Sequence, residues 1–468
     1  MSSNTFSRRD FLKSAGLTAL GMALTACVPA APTLLGVTVP PKAEEKPAEE
    51  ATPKAVTISW WNQFSTPICQ EMFPRIVGDF EKLYPWITVD FEISGGPPGG
   101  GNYIEVLLSR IAAGNPPDTA TLWTPPVQFA ARGALVAIDE MMRGARWAKP
   151  GAFYEKPLRS CQWRGETYGL PSSAGPGCIF INTAQFEEKG VSTNREDFPK
   201  TWDEVKELSA KFVVWEDGAL KHAGLIPWES SWLYPLWSNL NGGKLFDIEN
   251  ERYVLNSEQN TEWLNYWVQW LDDQYGGDIE QLNLYGPWGD VYPESAFQLQ
   301  LCSMAQSGSW AVTDAEIPFA WEVVRFPWGP SGSKSLTAFW PNWWVIPKGS
   351  PHPTEGFLFI EYLCTKGWET WYTAVMDTPA WKDFSPDILT QKLVDTVGLE
   401  RAKEIHAFFA AYLEDAIDMW NSPIEDFAND TLGSAIDEIL HKTKMPAEAL
   451  KEAQDLCQAK LEETLKGV

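Results

Sequence analysis

The chain has 468 residues, with 62 acidic and 37 basic side chains and a formal charge of −25. That balance argues against nucleic acid as a partner, because a polyanion would be repelled, and it weighs against an anionic solute. The 7 cysteines include no C-x-x-C pair and are too sparse for a disulfide scaffold, so packed cores must supply the framework.

Ser7-Arg8-Arg9-Asp10-Phe11-Leu12-Lys13 is a near-complete twin-arginine export signal, read through Arg8 and Arg9. The apolar run from Ser14 to Leu24 is too short to span a bilayer. Leu24-Thr25-Ala26-Cys27 resembles the lipobox of bacterial lipoproteins, in which the Cys27 thiol is acylated and becomes the new N-terminus. The order and spacing of the two motifs predict a signal peptide over residues 1–26 and a lipid anchor at Cys27 on the extracytoplasmic face of a membrane. Removing the leader's net +2 leaves about −27 on the mature chain. Residues 27–54, rich in Pro, Ala, Glu and Lys, lack the apolar surface to order themselves and read as a disordered tether. Twin-arginine export carries folded chains, so most of the six remaining thiols are expected in cores, with room for one pair to oxidise outside.

From about Ala55 the composition is globular, and roughly 410 residues exceed what one core organises, so two domains are expected. Val56 to Trp61 reads as a strand. Ile68, Phe73, Ile76, Phe80 and Leu83 recur at helical spacing up to Tyr84-Pro85, and Ile87, Val89, Phe91 and Ile93 alternate as in a strand. A helix is expected from Tyr103 to Ala113 and a strand from Thr119 to Trp123. This alternation implies an α/β fold with a parallel sheet covered by helices on both faces. Thr201-Trp202-Asp203-Glu204 is a capping box, and Thr261 to Leu271 and Pro353 to Cys364 read as further helices. Leu399 to Leu465 reads as almost entirely helical, with one helix opening at Met445-Pro446.

Several segments occur in the order seen in one family. They include Ile58-Ser59-Trp60-Trp61, Phe80-Glu81-Lys82-Leu83-Tyr84-Pro85, Ile111 to Asp118, Phe129 to Leu135 and Tyr168-Gly169-Leu170-Pro171. Phe198 to Glu204, Gly242-Gly243, Met304 through Gly308-Ser309-Trp310 and Trp344 to Lys348 follow. The chain resembles the family 1 extracellular solute-binding proteins, the capture components of ABC importers, particularly those for sugars. The resemblance implies a two-lobed, type II periplasmic-binding-protein-like fold whose lobes are discontinuous in sequence and close around one solute through a multi-strand hinge. It places residues 55–170 plus about 335–376 in the N-terminal lobe and 171–326 plus about 377–468 in the C-terminal lobe. Crossings are expected at Tyr168 to Pro176, Phe326 to Lys334 and near Asp377 to Pro379. It further implies a monomer that partners a membrane ABC permease and needs no cofactor.

A sugar offers hydroxyls at its rim and C–H patches on its faces, so a receptor needs flat apolar surfaces and fixed hydrogen-bonding groups. Tryptophan supplies the first and an N–H for the second, and this chain has 25. Ligands of open α/β sheets sit beyond the carboxyl ends of the strands, which selects Trp61, Asn62 and Trp123. The family resemblance also favours Trp123 and selects Trp310. Trp232 and Trp237 precede Asn241-Gly242-Gly243, and Trp340 and Asn342 precede the Trp344 strand, so these four complete the candidate set. Trp202 and Trp263 read as packing, Asp118 as fixing its turn, and Asp247 to Asn250 as a β-turn. The four histidines lack zinc spacing, and no catalytic signature occurs. The reading is a carbohydrate receptor, not an enzyme. A polyol, glycerophosphodiester or polyamine on the same fold is the nearer alternative and a surface glycoside hydrolase the distant one.

Overall fold

The computed structural model describes residues 54–97, 102–283, 288 and 290–466. The expected export signal at Arg8 and Arg9, the Cys27 lipidation site and nearly all of the tether therefore lie outside the described residues. The strands used below are β1 (Val56–Trp61), β2 (Ile87–Phe91), β3 (Thr119–Leu122), β4 (Leu170–Pro171), β5 (Gly175–Asn182), β6 (Met304–Gly308), β7 (Trp321–Val324), β8 (Phe339–Trp340) and β9 (Trp343–Val345). The helices are α1 (Pro67–Leu83), α2 (Tyr103–Ala112), α3 (Trp202–Ala210), α4 (Tyr234–Leu240), α5 (Glu258–Gln274), α6 (Pro353–Tyr362), α7 (Leu399–Leu413), α8 (Glu425–Leu440) and α9 (Pro446–Lys466).

The first sheet has the order β2-β1-β3-β9-β4. β1 runs parallel to β2 and β3, as the sequence alternation requires. β9 is antiparallel to both β3 and β4, so the sheet is mixed where a parallel one was expected. Strands β4 and β9 enter from the junction between the two sheets rather than through a crossover helix, and so are free to run the other way. α1 covers this sheet with Cys69, Met72, Phe73, Ile76, Val77 and Phe80, one apolar stripe at helical spacing. Trp60 is buried beneath it against Phe73, Phe91, Trp344 and Phe359.

The second sheet has the order β6-β5-β7, with β8 also paired to β5. All eight residues of β5 are buried, which explains its near-continuous apolar run Cys178-Ile179-Phe180-Ile181. A separate core gathers here from α3, α4, α5, α7, α8 and α9, including Trp202, Trp237, Trp263 and Trp267. Thr201 caps α3 with the expected reciprocal box. All six described cysteines are buried and unpaired, so none forms a disulfide.

Asp118 ties the first sheet to the loop before α6. Its Oδ2 accepts from Ser59 N at 2.8 Å and Ser59 Oγ at 2.9 Å, while Oδ1 accepts from His352 N at 3.0 Å. Asp118→Asn replaces one acceptor oxygen with a donor facing donors. It is expected to cost about 1–2 kcal/mol of stability, read by urea unfolding at unchanged m-value.

The junction consists of three neighbouring segments. Ser172 N donates to Asn342 O at 3.0 Å, Ala174 N to Thr378 O at 2.6 Å, and Ala380 N to Ser172 O at 3.1 Å. The second crossing is displaced from Phe326–Lys334. Trp328 N bonds Lys200 O, Gly329 N bonds Leu240 O, and Phe326 is buried in the second core, so this stretch stays with the second sheet. The chain instead passes between sheets from Trp340, paired to Gly175, to Trp343, paired to Pro171. The Gly/Pro content of 326–334 serves close packing rather than hinging: a Cβ at Gly332 would collide with the backbone of Leu240.

The last 70 residues are also less helical than their composition predicts. Residues 414–424 leave the helix as turns and irregular chain along the junction, where Ile417 N donates to Thr337 O at 2.8 Å. Arg325 and Lys334 hold Asp415 at 2.8 and 3.1 Å. Asn421 takes φ +53°, and Pro423 follows, a combination no helix continues through.

Candidate functional site

A cavity of about 830 Å³ lies where the two sheets and the non-helical 414–424 segment meet. That size falls within the range of small-molecule sites. The first-sheet side contributes Asn102, Ile104 and Thr124. The second contributes Ser231, Trp232 and Pro235 at the start of α4, and β8 contributes Phe339 and Trp340. The floor comes from Ile417, Asp418, Met419 and Trp420, and the far wall from Glu425, Asp426, Asn429 and Asp430 on the first turns of α8.

Three of the eight candidate residues come together here. Trp232 lies 5.6 Å from Trp310 with ring planes at 46°, and 6.0 Å from Trp340 with planes at 80°. All three rings are half-buried, and Trp232 and Trp340 line the cavity itself. Trp310 is fixed by glycines: a Cβ at Gly308 would overlap its ring, and one at Gly175 would press on it at 3.0 Å. β6 and β5 thus carry glycine where the indole must lie flat against the strands.

The other five are placed elsewhere. Trp237 is fully buried, donating from Nε1 to Gln306 Oε1 at 2.8 Å, and is a core residue. Asn62 is buried in the turn after β1, where Nδ2 donates to Glu92 O at 2.5 Å and Oδ1 accepts from Phe64 N at 3.1 Å. Asn342 is buried in the junction, with Nδ2 donating to Ser173 Oγ and Asp377 Oδ2, both at 3.2 Å. Trp61 packs below Arg110, whose guanidinium lies 5.7 Å from its ring. Trp123 is 40% exposed and meets Phe64 edge-on, outside the cavity lining.

Sequence reasoning missed Thr124, Trp420 and the carboxylates of α8. The available signal was Asn421-Ser422-Pro423, a helix breaker followed by Glu425 and Asp426 where a first turn favours acids. Glu425 is 4% exposed and its Oε2 has no hydrogen-bond partner among the described residues. Burial, and secondarily the Asp426 charge, pushes its carboxyl up to about 8. Burial also raises Asp426, against hydrogen bonds from Gln128 and Thr124. Thr124 Oγ1 donates to Asp426 Oδ1 at 3.0 Å, and Asp426 N donates to Gln128 Oε1 at 3.3 Å. These bonds clasp the end of β3 to α8, and so one core to the other.

The arrangement offers flat aromatic walls, hydroxyl and amide donors and several carboxyl acceptors. Among the described residues no group of three or more His, Cys, Asp or Glu could hold a metal ion. No helix of the described residues is long and apolar enough to cross a membrane.

Among solved structures, the chain is similar to CpMnBP1 with mannotriose bound, at 21% identity and TM-score 0.71, covering 86% of this chain and 99% of that one. It is similar to the ABC substrate-binding protein Lmo0181 from Listeria monocytogenes in complex with cycloalternan, at 20% identity and TM-score 0.69, covering 88% and 100%. The maltose/maltodextrin-binding domain MalE from Bdellovibrio bacteriovorus bound to maltotriose matches at 18% identity and TM-score 0.65, covering 87% and 100%. No curated protein sequence matches the chain. The shared fold is the two-lobed, type II periplasmic-binding-protein architecture. Residues 66–370 match the model of the bacterial extracellular solute-binding proteins, and with nearly two thirds of its length inside that model the chain belongs to this family.

Proposed function

We propose that this protein is a lipid-anchored extracytoplasmic receptor that captures a carbohydrate, an oligosaccharide, in the 830 Å³ cavity and delivers it to an ABC importer. The observation that carries the reading is the meeting of Trp232 and Trp340 on the lining of a cavity between two sheets, with Trp310 packed against Trp232. Indole faces cover the C–H patches of a sugar ring, and the α8 carboxylates with Thr124 and Asn429 serve its hydroxyls. Similarity to proteins solved with mannotriose, cycloalternan and maltotriose supports a saccharide of more than one ring. In this reading Arg8 and Arg9 direct export, Cys27 carries the lipid and residues 27–54 form the tether. The lobes close about the junction, and solute favours the closed form that docks on the permease. The protein binds its solute and performs no reaction on it.

A thermal-shift screen of the chain from Ala55 against mono- and oligosaccharides, polyols and polyamines tests this. A saccharide at about 100 times its Kd adds roughly 2.7 kcal/mol of stability and raises the midpoint. A shift from polyols or polyamines alone would overturn the substrate class. Hydrolysis of the sugar would overturn the receptor reading.

A further inference from the structure

We propose that the protein carries a second binding site, for a small carboxylate with an apolar body, in a cavity of about 630 Å³ that shares no lining residue with the first. This inference does not rest on the first cavity being the solute site. The volume falls within the range of small-molecule sites. Trp381 and Ala416 of the first core form one side and Tyr372 of the second core another, while Phe384 packs against both cores. α7 supplies Ala407, Ala410 and Leu413, whose spacing of three residues puts them on one helical face. Ala407 and Ala410 are exposed, and alanine at both leaves the space that a larger side chain would fill.

An apolar cavity does not name its occupant; the charges on its lining do. These are Glu155, Lys156, Lys382, Lys403 and Glu414. Glu155 is held by Arg159, and Lys403 by Glu400 at 2.9 Å. Lys156 Nζ instead donates to the carbonyl of Ala416, and Lys382 Nζ to Gly151 O at 3.0 Å, with no carboxylate partner for either among the described residues. His406 adds no charge. Thr390 N donates to its Nε2 at 3.3 Å, which leaves Nδ1 to donate to the Tyr372 hydroxyl at 2.7 Å, and burial lowers its pKa to about 4. The unpaired charges are therefore two ammonium groups against the Glu414 carboxylate, a positive balance in a chain whose formal charge is −25.

The backbone carries both lysines to this place. Tyr154 N donates to Ala380 O at 2.9 Å and Lys382 N to Ala152 O at 2.8 Å, so the segments bearing Lys156 and Lys382 are paired to each other. Lys156 is half-buried, and its bond to Ala416 sets its ammonium against a residue of the cavity wall. An ammonium has three N–H donors, so each lysine keeps donors beyond the one bonded to a carbonyl. A carboxylate accepts them in charge-assisted hydrogen bonds, stronger than those to a neutral carbonyl. Tyr154 and Trp381 offer aromatic surface to the apolar body of such a ligand. An alcohol with the same body fills the space without the charge pairing, and an amine meets like charge.

The test is titration calorimetry of the whole protein with two matched sets: octanoate, 1-octanol and octylamine, and 4-phenylbutyrate, 4-phenylbutanol and 4-phenylbutylamine. At neutral pH at least one carboxylate is expected to bind about fivefold or more tightly than its alcohol and its amine. Ala410→Trp, on the exposed face of α7, should fill the cavity and weaken carboxylate binding tenfold or more. Lys382→Gln, and separately Lys156→Gln, should each reduce the preference for carboxylate over alcohol, whereas Trp340→Ala in the first cavity should leave it unchanged. Binding by neither carboxylate, equal affinities across the three head groups, or carboxylate binding that persists in Ala410→Trp would each overturn the inference. Saccharide binding is measured separately, so these outcomes leave the receptor reading where it stands.

Discussion

Replacing Trp340 by alanine is expected to raise the Kd for the bound saccharide roughly 30- to 100-fold, about 2–2.7 kcal/mol. The side chain is half-buried in the empty protein and lines the cavity, so its free face is available to a sugar ring. Its removal takes one aromatic platform and the edge contact with Trp232 that holds the second. The backbone pairing of Trp340 with Gly175 does not depend on the indole, so the fold should survive. Trp237→Phe is the contrast. It loses the buried bond to Gln306 and is expected to lower unfolding stability by about 1 kcal/mol while leaving the Kd unchanged. Titration calorimetry beside urea unfolding separates the two. Equal Kd for Trp340→Ala and the parent chain would remove Trp340 from the site.

Glu425→Gln is expected to stabilise the empty protein by about 3 kcal/mol at pH 7. Burial, then the Asp426 charge, lifts the folded-state carboxyl to about 8, above the ordinary value of 4.5. The folded protein therefore holds a proton that the unfolded chain has released. Between pH 4.5 and 8 the native state binds more protons, and this residue's contribution to stability falls by about 1.4 kcal/mol per pH unit. Glutamine keeps the shape and removes the titration. The gain should vanish near pH 4, where both states are protonated, and grow steadily up to pH 8. Urea unfolding of both proteins across that range measures it, and a pH-independent difference would show that the carboxyl is not held in this environment.

The sequence was most legible where local periodicity and the core agree. β1, α1, β2, α2 and β3 lie within a residue or two of their expected bounds, because each apolar stripe faces one sheet. The α3 capping box needed only four residues to declare itself. The candidate site was legible in part, since Trp232, Trp310 and Trp340 meet but Trp237 turns inward. Trp232 lies in the turn just before α4 and Trp237 in the middle of that helix, and the first lines the cavity while the second is buried in the core. Nothing local distinguishes an indole facing solvent from one facing the core. Asn62 and Asn342 were rightly located at strand ends, but their amides are consumed by Glu92 and by Ser173 and Asp377. The α8 wall escaped because helical composition on both sides concealed the irregular segment, which is held by Thr337 far away in sequence. Such tertiary pairing overrides propensity.

The clasp from Thr124 and Gln128 to Asp426 joins the two halves of the molecule beside the cavity. In the receptor reading proposed above, parting of the lobes breaks these bonds, so they add to the barrier for release of a bound solute. Capture and retention become separable quantities. In that reading the aromatic lining governs how tightly a solute is held at equilibrium, and the two hydrogen bonds to Asp426 govern how long it stays before hand-over.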